Sequence, residues 1–457
     1  GLENPLAHLL LALYLQAYLR GDRPRRLGFL AALIGVTRMD LLLLLLPAVA
    51  SACRGPFGAI GTGPTGAAER PFVERTRRLG PPLRAAAVGF LPFLIWEIFA
   101  LVYYGFLFPN PAYAKLATGL PRLELIGRGL EYLLNSACSD PLTLAAIACG
   151  IGAALAARRR RDLAVGLGIA SYLVYIVLIG GDFMSGRFLA APLLAAVILC
   201  ARASLRPKIA WAVACGVGLA FALLPAYTPE WIALRLGARH RFAHGVHPAI
   251  DENGIADERA VYYDDSSLAR APRAGPWPNP GSAQQAAAIR ADWVANTWLS
   301  NLQGFGLVDP DEASPTGALR TTSGVPLAPV VARSSIGFLG YYCGPGIHIL
   351  DFQALGDPLL ARLPALRRDP MLPVLIPRLA GKKYRIGHFV RRIPAGYFET
   401  LVTGENRIRD PRLAAYYDRL SLITRGPIWD ARRLLEIIKM NLGIGDRPAP
   451  SPVRNPG

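Results

Sequence analysis

Residues 20–54 read RGDRPRRLGFLAALIGVTRMDLLLLLLPAVASACR, and this stretch decides the class of the fold. Its apolar part, Leu27–Arg54, lies between two basic clusters, Arg20–Arg26 and Arg70–Arg84. Basic loops beside apolar segments stay on the cytoplasmic side of a membrane. Both flanks therefore belong to one side, and the segment must enter and leave by the same face. Two full crossings need roughly 60 Å of helix, but the stretch supplies only about 42 Å at 1.5 Å per residue. The reading is a broken hairpin of two short helices, parted within Gly35–Leu41. Its tip, Thr37-Arg38-Met39-Asp40, puts an arginine and an aspartate at membrane depth, which is costly unless they pair or line a wet cavity. An ion pair that only holds the hairpin is one reading of Arg38 and Asp40. A polar site is the other.

The same alternation continues in both directions. Further basic clusters stand at 158–161 (RRRR) and 202–208 (RASLRPK). The remaining apolar segments are Pro5–Leu19, Leu83–Phe108, Pro141–Ala157, Leu163–Ile179, Phe188–Ala201 and Ile209–Leu224, most of them near the length of a spanning helix. The loops without basic clusters hold GLEN (1–4), NPAYAK (110–115) and GGDFMSGR (180–187), and the positive-inside rule places all three on the opposite face. Within 109–140, Leu123, Ile126, Leu130, Leu133 and Leu134 recur at helical spacing, which predicts a helix lying on the membrane or packing on a neighbouring domain.

Composition agrees with a membrane protein. The chain has 457 residues, 52% of them hydrophobic, and a mean hydropathy of +0.31, which a soluble chain of this size rarely reaches. The apolar mass ends near Pro225. The expected organisation is a multi-pass helical membrane domain over 1–225, a soluble α/β domain over 226–445 and a disordered Pro-rich tail over 446–457. In the second part, Val330–Gly340 and Gly346–Phe352 read as strands, and 284–300, 411–420 and 430–441 as helices; RAPRAGPWPNPGSAQQ (270–285) reads as loop. The net charge of +18 is absorbed by membrane-flanking arginines, and no basic stripe interleaved with aromatics points to nucleic acid. Six cysteines without CxxC spacing argue against a zinc or redox motif; Cys138 and Cys343 both fall outside the cytoplasm on this topology, which leaves a disulfide between them open.

The residues fit for chemistry gather in the non-basic loops. Asp182 and Arg187 sit among Gly180, Gly181 and Gly186, where backbone amides can approach a ligand closely. A carboxylate there can orient or deprotonate a sugar hydroxyl, and an arginine can hold a phosphate bidentately. A snorkelling arginine paired with a loop aspartate is the bland alternative. Tyr103 and Tyr104 end an apolar segment as an aromatic belt would, and Lys115 follows Asn110 on the same side, placed to neutralise a lipid phosphate. His240, His244 and His247 share a helical spacing compatible with metal, but no acidic partner is near and Pro248 follows, so no metal is expected. P-loop, GxSxG and HExxH signatures are missing from the sequence.

The chain resembles the membrane-embedded, polyprenyl-phosphate-sugar-dependent glycosyltransferases of the GT-C superfamily, and among them the terminal β-(1→2) arabinofuranosyltransferases of the mycobacterial cell wall. The likeness runs through Gly1–Asn4, Tyr103–Lys115, Gly180–Arg187 with Leu189–Leu193, Asp257–Arg259, Leu350–Gly356 and Arg385–His388, and GGDFMSGR is its most specific element. It implies transfer of arabinofuranose or another pentose or hexose from a lipid-phosphate donor to a cell-envelope glycan outside the cytoplasm. It also implies a plasma-membrane protein with its C-terminal domain outside, and no cofactor beyond the lipid-linked donor. Asp182 would then be the catalytic carboxylate. Glu3, Asn4, Arg38, Asp40, Tyr103, Tyr104, Asn110, Lys115, Arg187 and His388 would bind substrate. Relatives carry an essential acid in the loop after their first membrane helix, so the main base is expected upstream of Gly1. Thr37-Arg38-Met39-Asp40 departs from the Arg-Pro-acidic form of relatives. A non-catalytic scaffold or transporter-like protein of envelope assembly is the alternative; a transporter would carry charges near the midplane and paired broken helices in two halves, and here there is one broken hairpin and no repeat.

Overall fold

In the computed structural model the described residues are 3–53, 72–203, 215–216 and most of 250–444, with 309–320 the longest gap in that last range. The predicted span Ile209–Leu224, the three spaced histidines and the tail 446–457 lie outside the described residues, apart from residues 215–216. The described part is mostly helical. The N-terminal helices are α1 (Asn4–Arg20), α2 (Pro24–Thr37), α3 (Leu42–Cys53), α4 (Phe72–Gly89), α5 (Leu91–Tyr103), α6 (Asn110–Leu116), α7 (Arg122–Ser139), α8 (Pro141–Ala157), α9 (Arg160–Leu178) and α10 (Ala190–Arg202). The chain divides into two compact units: Gly1–Phe99 with Ile126–Ala243, and Ala100–Leu125 with His244–Gly457. Segment 100–125, expected to belong with the membrane helices, thus falls in the second unit.

In the first unit α1 packs on α2 and α10, α3 packs on α9, and α8, α9 and α10 pack on one another. Backbones meet closely at glycine: a methyl at Gly28 would strike the Ala86 carbonyl, one at Gly89 the Arg25 carbonyl, and one at Gly168 the Leu44 carbonyl. Small residues at helix crossings are how helices associate where no hydrophobic drive separates them from lipid. Two helical stretches among the described residues are long and apolar enough to cross a membrane: Pro81–Tyr103 (23 residues) and Arg160–Leu178 (19 residues). Helices α7 and α8 add a third if they count as one span, but they bend by 107°. The bend sits at Asp140, whose carboxylate accepts from the Thr143 N–H (3.3 Å) and hydroxyl (2.5 Å), with Pro141 opening the new helix. The expected spans Pro5–Leu19 and Phe188–Ala201 are helical but only 17 and 13 residues long, too short to meet the same test. The second begins late because the backbone of Phe188 is drawn to the Tyr132 hydroxyl. Ile95 and Ile98, more than half exposed, face outward from Pro81–Tyr103, as lipid-facing residues do.

The helical stretch 24–53 breaks at Arg38, inside the expected Gly35–Leu41. This residue is extended (φ −150°, ψ 99°), and a short 3₁₀ turn over Met39–Leu41 leads into α3.

The second unit continues with α11 (Pro280–Ala291), α12 (Leu299–Gly304), β1 (Val330–Arg333), α13 (Ile336–Cys343), β2 (His348–Asp351), α14 (Tyr397–Thr403), α15 (Pro411–Arg425) and α16 (Ala431–Asn441). Strands β1 and β2 pair in parallel, Val330 opposite His348 and Arg333 opposite Asp351, with α13 as their crossover. The expected strand Val330–Gly340 therefore ends at Arg333, and its second half is helix: a parallel pair needs a crossover, and that run supplies it. Phe352, Leu350, Tyr397, Phe398 and Leu420 lie in the core around this sheet. Cys138 and Cys343 are free thiols.

Candidate functional site

The polar centre of the first unit is built on Arg38. Because Arg38 leaves the helix in an extended conformation, its side chain turns back over the following turn. Its Nε and Nη2 fork onto the two Asp40 oxygens at 3.2 and 2.6 Å. Nη2 also donates to the Tyr172 hydroxyl (2.9 Å), which donates in turn to Asp40, and Nη1 donates to the Asn4 Oδ1 (3.0 Å). The guanidinium is buried and stands 5.7 Å from the Phe188 ring centre. A planar fork onto a carboxylate is the geometry arginine is made for.

The loop 180–187 supplies the other half. Gly181 has φ +71°, and a side chain there would collide with the Tyr132 ring, so only glycine lets the loop lie against α7. Tyr132 fastens the loop by donating to the Met184 carbonyl (3.1 Å) and accepting from the Phe188 N–H (3.2 Å); Ser185 donates to Asn135 (2.8 Å). Arg187 is thereby aimed at Glu3, with Nη2 3.1 Å from its Oε1, and Nη1 stands 3.5 Å from the Asp182 carboxylate. Glu3 joins the two halves, since its Oε1 is also 3.9 Å from the Arg38 Nε.

Residues 3–4, 38–40 and 182–187 therefore form one ionic cluster of two arginines and three carboxylates. It is not evenly accessible. Asp182 has no solvent-accessible surface, while the side chains of Glu3, Arg187 and Asp40 keep 28%, 23% and 19% of theirs. Asp182 is thus the inner member and Glu3 the outer one. Burial works to raise the Glu3 carboxyl, but its own backbone N–H and the neighbouring Arg187, with Arg38 beyond, outweigh it and hold the group below the usual carboxylate range. The Arg187 Nε is buried and has no acceptor among the described residues. The cluster can exchange one anion for another at Arg187. Among the described residues no group of three or more His, Cys, Asp or Glu could hold a metal ion.

The other predicted binding residues belong to the second unit. Tyr103 and Tyr104 are exposed at the end of α5. Asn110 accepts from Arg362 (3.2 Å), whose guanidinium stacks on Phe106 and Tyr113. Lys115 ends α6. His388 is half-buried, with Nδ1 3.3 Å from the Ile386 carbonyl, and burial with the nearby cations Arg385 and Lys115 pushes it down to about 3, so it is neutral. Two further stretches of the resemblance meet here: the Arg385 Nη2 stands 3.4 Å from Glu258. Asp351 of Leu350–Gly356 is structural, its carboxylate taking the N–H groups of Gln353, Leu355 and Gly356 at 3.0, 2.7 and 3.0 Å.

Tyr172 and Tyr132 were not legible as site residues. Each sits in a helix among apolar neighbours, where a tyrosine reads as packing. The available signal was only that a buried phenol needs a partner.

No protein-family model, curated protein or solved structure matches this chain.

Proposed function

We propose that the chain is a polytopic membrane glycosyltransferase of the GT-C kind, moving a sugar from a polyprenyl-phosphate donor to a cell-envelope glycan, with its second unit outside the cytoplasm. One observation carries the reading: three segments far apart in sequence converge on one partly accessible ionic cluster in a mainly apolar helical unit. Ionisable groups gathered inside a membrane domain mark a functional site by default. In this reading the donor phosphate takes the place of Glu3 on Arg187, using the Nε that has no acceptor, and the displaced Glu3 carboxylate is freed to receive a proton from a sugar hydroxyl. Asp182 is a positioning residue that aims Arg187, and the Asp40–Arg38–Tyr172 group fixes the floor of the site.

The test uses the full chain reconstituted in vesicles with a radiolabelled polyprenyl-phosphate pentose. A charged hydrogen-bonded contact is worth roughly 1.5–3 kcal/mol, so Arg187→Gln is expected to weaken donor binding on the order of tenfold to a hundredfold. Unchanged donor affinity in that variant removes the claim. The pairing of both arginines with carboxylates favours a second reading, a scaffold whose cluster is only a clasp; it predicts that no lipid-phosphate sugar binds the wild-type chain at all.

A further inference from the structure

Helix α16 carries two stripes. Arg433 and Ile437 point into the second unit, with Leu434 and Met440 packed beside them. On another side Leu435, Ile438 and Leu442, spaced i, i+3 and i+7, are each more than half exposed, and Trp429 just before the helix is 79% exposed. Exposed Arg432 and half-buried Lys439 border that apolar stripe on one side, with Glu436 between them and the core, paired to Lys439 (2.8 Å) and Arg419 (2.7 Å), so that the three cations outnumber the one carboxylate. A helix with one face in a protein core normally turns polar residues outward, so a second apolar stripe needs an occupant.

The hydrogen bonds of the same helix say what covers it. Arg433 is fully buried and pairs with no carboxylate among the described residues. It donates Nη1 to the Val102 carbonyl (2.7 Å) and Nη2 to the Tyr103 carbonyl (2.9 Å), and also bonds the Ile423 and Ile428 carbonyls. Val102 and Tyr103 are the last residues of the candidate membrane span Pro81–Tyr103. Their carbonyls are among those a helix end leaves unpaired, carrying partial negative charge that a cation satisfies. At the other end of α16, Asn441 donates to the Gly105 carbonyl (2.8 Å). Both ends of α16 are thus fastened to the point where the chain leaves the span, about 12 Å apart along the helix at 1.5 Å per residue.

We propose that α16 lies in the lipid–water boundary, with Trp429, Leu435, Ile438 and Leu442 inserted among the upper acyl chains and Arg432 and Lys439 at the headgroups. A helix anchored to the exit of a span cannot be far from the bilayer surface. Its apolar stripe bordered by cations is the composition of an interfacial helix, and exposed Tyr103 and Tyr104 at the same level form part of an aromatic belt. The occupant is a lipid surface. The inference rests on Pro81–Tyr103 being a span, and not on any catalytic role.

The experiment reads Trp429 fluorescence in the full chain reconstituted in phosphatidylcholine–phosphatidylglycerol vesicles. The Trp429 component is the difference between wild type and Trp429→Phe; the Trp96 component, from the span itself, comes from Trp96→Phe. Both are expected to lose most of their intensity to lipids brominated along the acyl chain, Trp429 most with bromine near the glycerol end, and neither to aqueous iodide. Leu435→Ser with Ile438→Ser, at exposed positions that leave the core intact, should move Trp429 toward iodide. Quenching of Trp429 by iodide and not by brominated lipid in the wild type overturns the proposal. Protection from both quenchers also overturns it, and assigns the stripe to a protein partner or a second copy. If the Trp96 component is untouched by brominated lipid, the span reading falls and this proposal with it.

Discussion

Removing Arg38 and Asp40 one at a time and then together separates a clasp from a site. Arg38 is buried and makes four hydrogen bonds, two of them the fork onto Asp40. Arg38→Met leaves Asp40 with only the Tyr172 hydroxyl among its described partners; Asp40→Leu leaves the Arg38 guanidinium leaning on Glu3 at 3.9 Å. Taking one partner from a buried ion pair costs about 3–5 kcal/mol, because the other charge stays buried and uncompensated. At about 2–4 °C per kcal/mol for a unit of this size, each single variant should melt roughly 6–20 °C lower than wild type. Replacing both by apolar residues of similar volume removes the orphaned charge and is often neutral or stabilising. The double variant Arg38→Met/Asp40→Leu is therefore expected to recover most of the lost melting temperature. If the pair is only structural, the double variant also recovers donor binding and transfer. If it floors a site, stability returns and transfer does not. Thermal unfolding in detergent and transfer from a labelled lipid-phosphate sugar read the two quantities on the same preparation. Full transfer in the stable double variant refutes the functional assignment of the hairpin tip, and additive melting losses refute the pairing itself.

Asp357 is fully buried, accepting from the Tyr397 hydroxyl (2.9 Å) and the Leu360 N–H (2.8 Å), and burial pushes it up to about 6. The folded state then holds its proton more tightly than the unfolded chain, so stability is full below about pH 4 and falls by about 3 kcal/mol as pH rises through 6; Asp357→Asn should flatten that part of the melting-temperature profile, and an unchanged profile counts against the assignment. Arg433→Met strips the Val102, Tyr103, Ile423 and Ile428 carbonyls of their donor, each bond to a charged donor being worth about 1.5–3 kcal/mol. The second unit should lose at least about 3 kcal/mol, read by limited proteolysis against denaturant, and wild-type resistance would disprove the clamp. Gly168→Leu drives a side chain into the Leu44 carbonyl and should prevent α9 from packing on α3, seen as loss of the monodisperse peak in size exclusion.

The break at Arg38 was legible because length and flanking charge forbade two full crossings, and that is a geometric argument that needs no partner residues. The helices after Asp140 and Asp430 begin where the segments 141–157 and 430–441 were expected to, and each aspartate caps its helix by accepting a backbone N–H of the first turn. What the sequence hid was long-range. Nothing local says that Glu3 meets Arg187 or that Tyr172 meets Asp40, since each contact is fixed by how α1, α9 and the 180–187 loop pack. The buried state of Asp182 was hidden likewise: a glycine-rich loop suggests openness, yet here the glycines serve close packing on Tyr132. The strand over Val330–Gly340 was overextended because an apolar run reads equally as strand or buried helix; the parallel pairing of β1 and β2 settles it by requiring a crossover between them.

Four arginines of the described residues, three buried and Arg187 only partly so, divide by what neutralises them, and the division bears on where chemistry can occur. Arg391 and Arg433 are satisfied by backbone carbonyls: Leu363, Phe389 and Ala114 for the first, four carbonyls for the second. Carbonyls belong to the fold and cannot step aside, so those guanidinium groups are committed. Arg38 and Arg187 are satisfied by carboxylates on side chains, and the Arg187–Glu3 contact lies partly in solvent. A carboxylate can leave an arginine at little cost if another anion arrives, because one charge-assisted pair replaces another of similar strength. Arg187 is the one of these four that combines a side-chain carboxylate partner, partial exposure and an N–H with no described acceptor. An anionic headgroup entering the first unit would find its least costly partner there, and the carboxylate it displaced would be Glu3.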